Sequence, residues 1–351
     1  MRTDMTDSTP SSSSGFGQRQ PWLDAARCLA CLCVLLIHVT YDGGSGGHVA
    51  IAIYDYYAVC GASIVFFMIT GALTLWRPQP LGSFMRKRVH RVFIPMALWS
   101  ALTLLLYACL GRIEWSALSQ HLLLIAIKPQ VPQFWFIYVA MGIYLLTPMV
   151  ATWLQQATQR QVAALLLAWC STLFIPWLEA LLPGSNTLID RQHGPLFYFQ
   201  GYAGLSLLGY YIRRWVSPRQ WIFWFIGGAL LLSFPLLLRF ASLPTHLFTT
   251  RLSPNVIALS FILVVMIKHV RIPVSLHRLL YAAGQVTFGI YLTHMPVIRL
   301  VVAPLMQHSG LNYWVGLPIA TALTALLTST IVWLISLTPL ARILGCELKL
   351  H

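Results

Sequence analysis

PWLDAARCLACLCVLLIHVT, residues 21–40, is long and apolar enough to enter a bilayer, yet it holds Asp24, Arg27 and His38. Ionisable side chains inside such a segment are costly and mark functional positions by default. Arg27 and His38 stand eleven residues apart. At about 100° per residue this is close to three turns, so both project from one helix face, roughly 16 Å apart along its axis. Asp24 precedes Arg27 by three residues and can pair with it across one turn, or serve as a helix-start carboxylate at the positive end of the dipole. Taken singly, Arg27 also reads as a snorkelling anchor, and His38 as a buried group bonded to a neighbouring helix. The shared face favours a site: a permanent cation near the helix start and a titratable base near its end.

The rest of the chain agrees with a membrane setting. Of 351 residues, 58% are hydrophobic and 9% charged, against about 25% charged in a soluble domain; the mean hydropathy is +0.71. Runs of spanning length predict an all-α, polytopic bundle of about ten helices, near 22–40, 54–76, 92–110, 134–154, 162–182, 196–212, 221–238, 252–270, 281–305 and 313–338. Residues 1–20 are a Ser-rich polar stretch expected to be a disordered cytoplasmic tail and, without an apolar core, not a cleaved signal peptide. Residues 21–340 form the transmembrane domain and 341–351 a short cytoplasmic tail.

The net charge of +14 does not point to nucleic acid, because the basic residues lie in loops. With the N-terminus cytoplasmic, the 23 Lys and Arg divide into 16 in inner segments, 6 in outer ones and Arg27 within the first helix. That bias predicts both termini in the cytoplasm. The cysteines fall mostly in apolar helices, where a thiol acts as a small core residue. Cys28, Cys31 and Cys33 come with no hydrophilic ligand cluster, so no metal site is expected.

Three further segments carry polar groups. Arg86, Lys87, Arg88 and Arg91 lie after the second helix and lead into VFIPMALW. They read as a topology signal or as a grip on phosphates, for which arginine forks are suited. In TFGIYLTH, 287–294, Thr287, Tyr291 and His294 share one face of the ninth helix, fit for interhelical bonding or for binding a substrate. FFMITG, 66–71, ends in Thr70–Gly71, which permits close helix approach or a polar backbone contact. The aromatic run Phe134, Trp135 and Phe136 fits an outer interfacial belt, or a platform on which a sugar stacks. No acidic residue stands clearly at a helix midpoint, which speaks against a proton-coupled transporter.

Together these segments resemble the acyltransferase-3 family of integral-membrane acyltransferases, in its surface-glycan O-acetyltransferase branch. The matching pieces are LDAAR (23–27) with His38, FFMITG, RKRVHRVFIP (86–95), FWFIYVAMGIYLLTP (134–148) and TFGIYLTH, in family order. Cys28 and Thr70 stand where the family usually has glycine and serine. The resemblance implies a ten-helix enzyme of the bacterial inner membrane that moves an acyl group, commonly acetyl, from cytoplasmic acetyl-CoA or another acyl-CoA to a hydroxyl of a cell-envelope glycan, exopolysaccharide or lipid-linked sugar. It implies catalytic roles for Arg27 and His38, His38 as general base or acyl carrier and Arg27 orienting the thioester end or a phosphate of the donor. Asp24 would orient Arg27. Arg88 and Arg91, with Arg86, would hold the CoA phosphates, and Tyr291 and His294 would bind the acceptor. Membrane lipids and glycan-assembly proteins are the expected neighbours, and no permanent cofactor is expected. The alternatives are a transporter or flippase for lipid-linked sugars and a non-catalytic partner in a glycan-assembly complex.

Overall fold

The computed structural model describes residues 19–43, 49–181, 199–217 and 246–348, with a few positions between 222 and 233. All regular structure among the described residues is helical. The first half holds α1 (Pro21–Gly43), α2 (Val49–Gly61), α3 (Ser63–Thr74), α4 (Leu81–Arg88), α5 (Ile94–Cys109), α6 (Trp115–Leu124), α7 (Trp135–Trp153), α8 (Gln159–Thr172) and α9 (Ile175–Leu181). The second half holds α10 (Ala203–Trp215), α11 (His246–Thr249), α12 (Pro254–His269), α13 (Val274–Val297), α14 (Ala303–His308) and α15 (Tyr313–Ser336).

Eight helical stretches among the described residues are long and apolar enough to cross a membrane. They stand where the first five and last three of the ten expected helices were placed. The expected sixth, 196–212, is represented by α10, which at 13 residues falls short of a full span. The expected seventh, 221–238, lies largely outside the described residues, as do 1–18 of the N-terminal tail.

One segment differs in kind. The basic stretch after the second span, expected as a loop, is helical: α4 runs through a π-helical turn at Val89–Phe93 into α5. Pro95 lacks the N–H that would bond the Arg91 carbonyl, and a widened turn lets the helix pass the proline without stopping. The same device recurs where α13 passes through a π turn at Ile298–Val302 and continues into α14 past Pro304.

Two packings position the site. α1 and α13 run parallel, in register from Cys28 Sγ at the Leu280 carbonyl (3.8 Å) through Cys31 Sγ at the Thr287 carbonyl (3.9 Å) to His38 against His294. α3 and α10 cross at backbone contact. A Cβ at Gly71 would overlap the Ser206 carbonyl, and one at Gly209 would overlap the Met68 carbonyl. This is the close approach expected of Thr70–Gly71. The segment 341–351, set apart as a tail, packs back on the bundle as far as it is described: Trp99 Nε1 donates to the Leu344 carbonyl at 3.1 Å, and Cys346 is buried beside Gly289.

Candidate active site

The site begins at the N-terminal end of α1. Asp24 is buried and shared by two arginines: Arg19 donates from Nε and Nη2 to Oδ2 at 3.0 and 2.7 Å, and Arg27 Nη1 lies 3.5 Å from Oδ1. The Arg19 guanidinium carbon also lies over the Tyr281 ring, 3.4 Å from its centroid. Arg27 thus has one edge on Asp24 and still lines a central cavity of about 290 Å³. Arg88 lines the same cavity, its guanidinium 4.9 Å from the Phe84 and Tyr144 ring centroids. Its buried Nε has no hydrogen-bond partner among the described residues. Further along, the walls carry Thr70, Thr287, Tyr291 and His38.

A second cavity, about 660 Å³, lies toward the other end of α1 and is lined by Tyr41, Asp55, Tyr202, Arg299 and residues of the segment 249–252. The two cavities share five residues: Ile37, His38, Gln133, Trp135 and Arg251. His38 therefore stands at a seam between a cavity that reaches Arg27 and one that reaches Tyr41.

A third cavity, about 500 Å³, lies at the surface against α4 and the π turn. Arg86, Lys87, His90, Arg91 and Arg342 line it, with Glu347 as the acidic member. It adjoins the central cavity through Phe288, which lines both. The arginines grouped in the sequence as one cation cluster thus divide: Arg86 and Arg91 face the surface cavity, while Arg88 faces inward with Arg27.

The TFGIYLTH residues also divide. Thr287 and Tyr291 line the central cavity, whereas His294 is fully buried and lines neither cavity. His294 reaches the site through the ring of His38, 5.0 Å away between centroids. Its Nδ1 lies 2.7 Å from the Tyr291 carbonyl; a carbonyl only accepts, so Nδ1 carries the proton. The Tyr291 hydroxyl donates to the backbone carbonyl of Gln133.

The aromatic run is internal rather than an outer belt. Phe134 is fully buried, and Trp135 and Phe136 pack on Phe67 and line the central cavity. The run leads into α7 with its rings turned toward the cavities and the core.

Three residues at the seam and the second cavity escaped the sequence reading. Gln133 immediately precedes the aromatic run Phe134–Phe136, and a polar residue heading that run was the available signal. Arg251 was counted only as a loop charge, and Asp55 only as an acid away from a helix midpoint. In the fold, Arg251 lies 4.9 Å from the Trp135 ring centroid, and Thr40 Oγ1 donates to Asp55 at 3.5 Å. No group of three His, Cys, Asp or Glu side chains among the described residues is arranged to hold a metal ion.

Such an arrangement can hold an anionic molecule at its arginine end, a second molecule at the other, and a base between them. A family model described as an acyltransferase domain matches residues 20–336. No curated protein and no solved structure matches the chain.

Proposed function

The chain belongs to this acyltransferase family, and we propose that it carries an acyl group, acetyl in the simplest case, from cytoplasmic acyl-CoA to a hydroxyl of a cell-envelope glycan or exopolysaccharide at the bacterial inner membrane. The observation that carries this reading is His38 at the seam of two cavities, one lined back to Arg27 and the other onward to Tyr41 of α1.

In this reading the nucleotide end of the donor rests on Arg86, Lys87 and Arg91 in the surface cavity, where guanidinium forks suit phosphate oxygens. The acyl-bearing arm passes Phe288 into the central cavity, where Arg88 and Arg27 meet its polar groups. Asp24 holds Arg27 in place. The acceptor occupies the second cavity, whose Trp135 and Tyr202 rings offer faces to a sugar and whose Asp55 and Arg251 offer polar contacts. His38 takes the acceptor hydroxyl proton as the oxygen attacks the thioester carbonyl. The tetrahedral centre collapses, the C–S bond breaks, and the CoA thiolate leaves with the proton His38 had taken. His294 braces the His38 ring, and Tyr291 fixes the chain at Gln133. The family match favours transfer over the transporter alternative.

The test is transfer of labelled acetyl from acetyl-CoA by the purified protein in liposomes, with envelope glycan from a strain lacking the protein as acceptor. Label in ester linkage on the glycan is expected. Label that stays in acetyl-CoA or moves only to water, for every glycan fraction of that strain, would overturn the acceptor class.

A further inference from the structure

Gln133 lines both cavities at the seam with His38, is 3% exposed, and leaves both ends of its side-chain amide without a hydrogen-bond partner among the described residues. A buried amide without partners is destabilising, and such groups are rare in folded proteins unless they have a catalytic or ligand-binding use. Its backbone is nonetheless fixed. The backbone carbonyl of Gln133 accepts from the Tyr291 hydroxyl, and the next residue, Phe134, is fully buried.

We infer that the Gln133 side-chain amide is the oxyanion donor of this acyltransferase: Nε2 donates to the thioester oxygen as it gains charge, while Oε1 accepts from a hydroxyl of the bound sugar. The inference rests on the acyl-transfer reading above and adds the group that stabilises its transition state. When the acceptor oxygen bonds to the carbonyl carbon, the C=O electron pair moves onto oxygen and the acceptor proton moves to His38. A fixed neutral donor at that oxygen lowers the barrier without having to reorient. Two groups beside it are not available for this role: the Tyr291 hydroxyl is spent on the Gln133 carbonyl, and His294 lines neither cavity.

The test compares wild type, Gln133→Met and Gln133→Glu in the liposome assay, with acetyl-CoA binding and thermal unfolding measured in parallel. Met keeps the length and removes the unpartnered amide, so its unfolding temperature stays at or above that of wild type. Its kcat falls by about 10²–10³, with acetyl-CoA affinity unchanged. Glu keeps the shape but cannot donate when ionised, and loses kcat likewise. Turnover within about threefold of wild type for either variant, far from the loss expected on removing an oxyanion donor, overturns the inference. So does a loss confined to the acceptor KM, or a fall in the unfolding temperature of the Met variant, which would make the amide structural. Wild-type protein that fails to transfer acetyl at all overturns the acyl-transfer reading itself, a result told apart by the absence of any activity to compare.

Discussion

The imidazole rings of His38 and His294 lie 5.0 Å apart between centroids, tilted by 44°. One ring faces the cavities and the other is wholly buried behind it. A base must meet its proton at a defined angle, and a misplacement of about 1 Å can cost roughly 100-fold in rate. His294→Ala is therefore expected to lower turnover by up to about 100-fold while acetyl-CoA affinity holds. His294→Phe restores a ring against His38 and should recover part of the loss. Equal and full activity in both variants would show that the contact does not orient His38.

The division of the arginines predicts two binding phenotypes. Calorimetric titration with CoA and with adenosine 3′,5′-bisphosphate separates them. Arg86→Ala with Arg91→Ala should weaken both ligands by tenfold or more, since a charge-assisted hydrogen bond contributes about 1.5–3 kcal/mol. Arg88→Ala should weaken CoA but leave the bisphosphate fragment unchanged. Equal losses for both ligands in all variants would place the three arginines in one site.

The crossing of α3 and α10 predicts a stability effect with no chemistry in it. Gly71→Ala sets a methyl group against the Ser206 carbonyl, and overpacking of this kind costs about 1–3 kcal/mol. Thermal unfolding in detergent should show a clear fall in midpoint. An unchanged midpoint would mean that the two helices separate without cost.

Orientation follows from the basic bias and from the parallel packing of α1 and α13. Reporter fusions near Gln307 are expected to read outside, and fusions at Arg213 and the C-terminus inside. A C-terminus on the outer side would contradict an even number of spans.

The membrane class, eight of the spans and the α1 site face were legible in the sequence because each rests on local signals: apolar run length and helical spacing. Arg27 and Asp24 came together because residues three apart meet across one helical turn, whereas the contact of His38 with His294 joins two helices and comes from packing. The helical state of 86–91 was hidden because a basic run before a proline reads as a loop, whereas the helix passes Pro95 by way of a π turn. The aromatic run was misassigned because amphipathic rings suit both an interface and a cavity wall, and periodicity does not say which face meets lipid. Gln133, Arg251 and Asp55 gather at the seam and the second cavity from separate helices and connecting segments, a juxtaposition that only packing creates. The same holds for the inward turn of Arg88 away from Arg86 and Arg91.

The most direct test of a base at the meeting point of two cavities is single-turnover transfer from labelled acetyl-CoA by His38→Gln. Glutamine keeps hydrogen bonding but cannot take the proton. With folding and acetyl-CoA binding intact, the transfer rate should fall by at least about 100-fold, the lower range of what a general base contributes. A rate near that of wild type would contradict the account and make the imidazole a structural group.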